Sequence, residues 1–414
     1  MVAATPASRD RYVDFLRAAS IVVVVLGHWT ISIIAWDGGV IRSTSALGLG
    51  VGLWLATWVF QVMPVFFFVG GYANLVAYES ARRQGLSAGA FVRSRLRRLL
   101  VPSLVLLAVW GVVQVVLHLS GTGTPTGPRV GDFVLLRGVR PPGQTIPFGP
   151  LWFLGVYLLV VCLSPLTVAL HRRFSGWVVA VMAAGAVICD LVGFVGGQDG
   201  LRYFNVIFVL LLPHQLGHFY GDGSILGWSR RRLTAMAVTG LGGLVLLTNP
   251  WLFRLAGGDD RFRWFPGIGH YPRSLLGTDV ERISNAYPPT LCYLLVGIWL
   301  IGLVMLARPA LSRWLERPGV WKATIAVNGS IMTLFLWHMT AFLLAVLVLW
   351  PLGFGHDRTP SLRWWAERPL WLAVAGAFLA VMVALFGRFE AQGRRPRAAP
   401  IRTGPEPPVT SRRS

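Results

Sequence analysis

Long apolar runs alternate with short polar or Gly/Pro-rich stretches along almost the whole chain. The runs fall near residues 15–36, 53–78, 99–120, 149–170, 175–196, 203–221, 233–249, 288–306, 323–350 and 369–387, each close to the ~20 residues that carry a helix across a bilayer. The pattern predicts an all-α, polytopic transmembrane helix bundle of about ten spans. The first run, Phe15 to Trp36, is too long for the apolar region of a signal peptide and has no small-residue cleavage site after it, so it is expected to remain as the first span. Between the runs, two connections stand out, 121–148 and 250–287, both long, rich in Gly and Pro and dotted with aromatics. Connections of that length in a compact bundle are usually functional. No repeated segment of the kind that builds a two-halved transporter is visible.

Composition agrees with the pattern. Hydrophobic residues make up 54% of the 414 positions and charged residues only 13%, against about 25% charged in soluble proteins. The net charge of +21 comes from 37 Arg and one Lys. In a membrane protein such charge belongs in cytoplasmic loops beside anionic lipid, so membrane lipids are the expected partner and nucleic acid is discounted. Of the 38 basic residues, 25 fall in one alternate set of connecting segments and 13 in the other. Both termini are therefore expected in the cytoplasm, with the protein multi-pass in the plasma membrane. Residues 1–388 read as one transmembrane domain, and 389–414, rich in Arg, Pro, Ser and Thr, as a disordered cytoplasmic tail. Cys162, Cys189 and Cys292 stand alone in apolar runs, so neither a disulfide framework nor a metal site is expected.

Candidate chemistry concentrates in the first span. Arg17 and His28 are 11 positions apart, which at 100° per residue returns to within about 20° of the same helical face and places them about 16 Å apart along the axis. Asp14, three residues before Arg17, is placed to orient its guanidinium. An intramembrane histidine is costly and tends to line a cavity, although a packed, hydrogen-bonded imidazole is the competing reading for His28, and a snorkelling boundary charge for Arg17. Arg93, Arg95, Arg97 and Arg98 precede Pro102. Guanidinium forks grip phosphates in pairs, but loops on the cytoplasmic side hold such clusters as a matter of course. His214 and His218 are spaced i, i+4 beside Gln215, and with no third ligand at a recognisable spacing they read as a packed polar pair rather than a metal site. The ninth run adds Asn328 and Phe335-Leu336-Trp337-His338. The second run brings Pro64, the aromatics Phe66 to Phe68, and Gly70-Gly71-Tyr72, a kink with close helix approach or a cavity wall.

Taken together, RYVDFLRAASIVVVVLGHW with its R-x10-H spacing, PVFFFVGGY at 64–72, RLRRLLVP at 95–102, PLWFLGVYLLV at 150–160, NAYPPTL at 285–291 and LWHMTAF at 336–342 resemble the acyltransferase 3 family of integral membrane O-acyltransferases, particularly its actinobacterial members. The resemblance implies transfer of an acyl group, with O-acetylation the leading case, from cytoplasmic acyl-CoA to a hydroxyl-bearing acceptor such as a cell-envelope glycan, a glycolipid or a secondary metabolite. It implies His28 as the catalytic histidine, Arg17 as a functional arginine, and Arg95 and Arg98 with Arg17 as the residues that hold the donor. His338 is a further catalytic candidate, able to polarise the carbonyl. No tightly bound cofactor is expected. Some members carry an extracytoplasmic esterase-like domain, whereas this chain ends about two dozen residues after its last run, so the whole transfer is expected within the bundle or with a separate partner. The competing function is a proton-coupled transporter relaying protons through His28, His214 and His338, or an exporter of an already acylated glycan or lipid. Against it stand the missing repeat and the paucity of acids, Asp190 being the one carboxylate well inside a run.

Overall fold

The computed structural model describes residues 10–37, 40–49, 52–119, 148–194, 196–249, 271–276 and 285–394. Most of the two long connections and the tail after residue 394 lie outside the described residues.

The first helix, α1 (Arg11–Ile31), is set at both ends by side chains. Asp10 accepts from the backbone N–H groups of Tyr12 and Val13 through Oδ1, and the backbone N–H and hydroxyl of Ser32 both turn back onto the His28 carbonyl. The chain then leaves the helix for a two-stranded antiparallel hairpin, β1 (Ser32–Asp37) and β2 (Val40–Ser45), with Ser32 opposite Ser45. The first span is thus shorter than its apolar run, and the hairpin is the departure from an all-α fold. Hydropathy alone does not separate strand from helix, and β-branched Ile33 and Ile34 favour the strand. Ile33 is buried against Ala46 and Trp364.

The other helices are α2 (Trp54–Phe60), α3 (Met63–Arg83), α4 (Ala88–Leu119), α5 (Leu151–Phe174), α6 (Gly176–Phe194), α7 (Asn205–Gly221), α8 (Arg230–Thr248), α9 (Leu291–Trp314), α10 (Pro318–Gly329), α11 (Ile331–Leu349) and α12 (Leu362–Arg394). Among the described residues, eight helical stretches are long and apolar enough to cross a membrane, α2 and α3 counting as one. The sixth and seventh expected spans are present as helices α7 and α8, but α7 has 17 residues and α8 opens with Arg230, Arg231 and Arg232. The ninth expected span divides at Gly329-Ser330, where Asn328 on α10 donates to the Asp14 carbonyl on α1. The last helix runs past residue 388 to Arg394.

Packing is tightest between α3 and α7. A Cβ on Gly71 would lie 1.9 Å from the His214 carbonyl oxygen, and one on Gly217 would lie 2.0 Å from that of Phe68. Only glycine permits the two backbones to meet. Side-chain bonds then tie each end of the bundle. At the basic end, Tyr220 donates to Asp10 at 2.7 Å, Arg308 donates to the Tyr220 oxygen, and Arg172 pairs with Glu79 at 2.8 Å. At the opposite end Asp190 accepts from the Leu291 backbone N–H, the Tyr271 hydroxyl and the Asn205 amide. Asn285 donates to the carbonyls of Pro272 and Ser274. Asp190 therefore fastens the start of α9 to the loop before it.

Candidate active site

Helix α1 delivers His28 to α11, which carries His338. His28 Nδ1 lies 2.8 Å from the Val24 carbonyl oxygen. A carbonyl only accepts, so Nδ1 carries the proton and Nε2 keeps its lone pair. The same argument applies to His338, whose Nδ1 is 2.7 Å from the Phe335 oxygen. Its Nε2 lone pair then faces His28 Nδ1 at 3.3 Å, with ring centroids 5.2 Å apart. Trp29 donates to the His338 carbonyl at 2.9 Å and pins the two helices together. His338 is fully buried, while His28 is only partly covered. The result is an imidazole whose Nε2 has no partner among the described residues, backed by a second imidazole that can take a hydrogen bond from its Nδ1.

Next to this pair lies a cavity of about 960 Å³ of empty space, the open solvent at its mouth included. Arg17, Ile21 and Val24 line it from α1, Met63, Phe66, Ala73 and Asn74 from α3, and Arg95, Arg98 and Leu99 from α4. Helix α5 adds Phe153, Leu154, Tyr157 and Val161, α11 adds Ile331, Met332 and Phe335, and α12 adds Glu390. The cavity brings together Arg17, Arg95 and Arg98, the three arginines that the resemblance implies, and leaves Arg93 and Arg97 out. Its lining includes Val24 and Phe335, the residues whose carbonyls hold His28 and His338, so it reaches to within about one helical turn of the histidine pair. Arg95 donates to the Ala73 carbonyl at 3.0 Å and sits over the Phe91 ring. Asp14 stands 3.9 Å from the Arg17 guanidinium, outside the cavity wall.

Three polar lining residues were not singled out from the sequence. Glu390 is buried, and its Oε2 accepts from both the backbone N–H and the hydroxyl of Thr333 at the start of α11. The available signal was an acid beside Arg388 at the start of a strongly basic segment. Asn74 and Tyr157 are neutral, and nothing local distinguishes them from packing residues.

His214 and His218 sit elsewhere. Asn74 Nδ2 is 3.2 Å from His214 Nε2, and His218 reaches the Gly71 carbonyl and the Thr167 hydroxyl. Gln215 bonds His171, whose other nitrogen is 2.9 Å from Asp222. Burial pushes the Asp222 carboxyl up, but hydrogen bonds from Ser224 and His171 outweigh it and hold the group below the usual carboxylate range. These side chains tie α3, α5 and α7 together. Among the described residues no group of three or more His, Cys, Asp or Glu side chains is arranged to hold a metal ion. His214 pairs with Asn74 and His218 rather than with His28 or His338, so the three histidines of the transporter reading do not form one line.

No curated protein and no solved structure matches this chain. A family model described as an acyltransferase domain, that of the acyltransferase 3 family, does match, and it covers residues 10–387, from the cap of α1 into the last helix. The residues that line the cavity, Glu390 apart, and both histidines of the pair fall inside it. With its apolar helices and nearly the whole of its length accounted for by that domain, the chain belongs to the acyltransferase 3 family and is a membrane acyltransferase.

Proposed function

We propose that the protein is a plasma-membrane O-acyltransferase that takes an acyl group, acetyl in the simplest case, from cytoplasmic acyl-CoA and passes it to a hydroxyl of a cell-envelope glycan, a glycolipid or a secondary metabolite. The observation that carries this reading is the cavity that runs from Arg17, Arg95 and Arg98 to the turn below His28 and His338. The basic end faces the cytoplasm, with ten spans and both termini on that side. The positive-inside distribution of Arg supports this orientation.

Three guanidiniums suit the phosphates of a CoA thioester. The axial distance of about 16 Å from Arg17 to His28 is comparable with an extended phosphopantetheine arm. With the phosphates at the arginines, the thioester carbonyl comes to rest beside His28. The Nε2 lone pair removes the proton from the acceptor hydroxyl as its oxygen attacks the carbonyl carbon. The new C–O bond forms, the C–S bond breaks, and the imidazolium returns the proton to the departing thiolate, releasing free CoA. His338, through its Nε2, accepts from His28 Nδ1–H and stabilises the positive charge while it lasts. Arg17, on the same helix as His28, ties the position of the donor to that of the base, and Asp14 keeps Arg17 in place.

The experiment is a coupled assay for free CoA thiol with the purified full-length protein in lipid nanodiscs, supplied with acetyl-CoA and an envelope extract. His28→Gln keeps a polar side chain but no base, and removing a general base lowers the rate by about 10²–10⁴-fold. A monodisperse His28→Gln protein working at a third of the parent rate would mean that His28 only packs. Mass spectrometry of envelope glycans and lipids from a deletion strain then identifies the acceptor by its missing acyl increment.

A further inference from the structure

The cavity wall is mostly apolar or aromatic, with three arginines and one carboxylate already bonded to Thr333. Asn74 and Tyr157 are its neutral polar side chains. Asn74 is 1% exposed to solvent. It sits beside Ala73, whose carbonyl holds Arg95, and so at the level of the arginine cluster on the way to the histidines. Its Nδ2 is engaged with His214 Nε2 at 3.2 Å, and no described residue hydrogen-bonds its Oδ1. His214 is fully buried, and its Nδ1 has no partner among the described residues. Gln215 Oε1 in the same helix-joining network is open as well, and of these three residues only Asn74 borders the cavity.

We infer that Asn74, held in place by His214, recognises an amide of the donor's pantetheine arm and so makes the site specific for pantetheine thioesters. The inference rests on the acyl-CoA reading above. The pantetheine arm carries two secondary amides, and in an apolar passage each must find a partner or be buried without one. The amide of Asn74 retains both donor and acceptor capacity after its bond to His214, and it lies where the arm leaves the phosphates. Phosphates alone would be held equally well in any arginine-lined cleft. The amide contact is what separates a CoA thioester from a nucleotide or an acyl phosphate.

The test compares ligand fragments by titration calorimetry on the full-length protein in nanodiscs. Asn74→Ala should weaken CoA binding by between about twofold and tenfold, the usual worth of one neutral hydrogen bond. It should leave the affinity for adenosine 3′,5′-bisphosphate, which has phosphates but no arm, unchanged. Arg98→Lys should weaken both ligands. Equal loss of both ligands in Asn74→Ala, or no loss of either, overturns the inference and leaves the donor reading standing. A parent protein that binds neither ligand overturns the donor reading itself. If Asn74→Ala does not fold, the parent protein is titrated with two CoA analogues, each with one amide replaced by a methylene pair. A loss of affinity with one of them supports the contact, and equal affinity for both analogues and CoA overturns it.

Discussion

At the scale of single residues, the distribution of protons over the two histidines decides what each can do. Because both Nδ1 atoms face backbone carbonyls, His28 keeps its Nε2 lone pair and His338 presents Nε2 to His28. His338→Ala should therefore lower kcat by about 10–100-fold, the usual effect of removing the group that orients a functional histidine, with KM for the donor unchanged. Steady-state kinetics with varied acetyl-CoA checks this, and parental kcat in a well-folded variant would reduce His338 to packing. The arginines make a second case. Lys keeps the charge of Arg but not its paired fork, so Arg98→Lys should raise KM for acetyl-CoA several-fold with little change in kcat. Arg172, which pairs with Glu79 on the exposed rim, is the control, and Arg172→Lys should change neither constant. Equal effects at the two positions would reduce Arg98 to a topological charge.

Between helices, α3 and α7 show what small residues accomplish in this bundle. Gly71→Ala places a methyl against the His214 carbonyl, which belongs to a helix backbone and does not yield. Overpacking typically costs about 1–3 kcal/mol, and this contact belongs at the upper end. Gly111 on α4, where a Cβ meets nothing within 4 Å, should accept Ala freely. Thermal unfolding followed by size-exclusion fluorescence reads the contrast, and equal midpoints for the two variants would refute it. Elements are also where sequence reading did best. Each of the ten apolar runs contains a helix, and eight helical stretches are long and apolar enough to span among the described residues, because hydropathy over 20 residues is a local sum. Its failures were of kind and position. The stretch from Ser32 to Trp36 is as apolar as a helix but forms a strand, and the break at Gly329-Ser330 lies inside one continuous run. The site was legible where its residues share a helix, as Arg17 and His28 do. His338 and the arginine pair were picked out one by one, and only the family resemblance grouped Arg95 and Arg98 with Arg17. Asn74, Tyr157 and Glu390 belong to three different helices, and only tertiary packing assembles them.

For the whole molecule, orientation is the first thing to test. In a background lacking Cys162, Cys189 and Cys292, single cysteines at Gln84 and Leu362, both exposed and at opposite ends of the bundle, should respond oppositely to an impermeant thiol reagent on intact cells. Leu362→Cys should label and Gln84→Cys should label only after lysis. The reverse result would turn the basic end outward and remove cytoplasmic CoA as the donor. The cavity has a broader consequence. Its described lining ends at Val24 and Phe335, one turn short of the paired imidazoles, and Trp29 packs beside those rings. On the reading proposed above, the enzyme passes an acyl group at this point and should leave the ion gradients on either side intact. Proteoliposomes holding a pH gradient should lose it no faster with the protein than without, even while acetyl-CoA is being consumed.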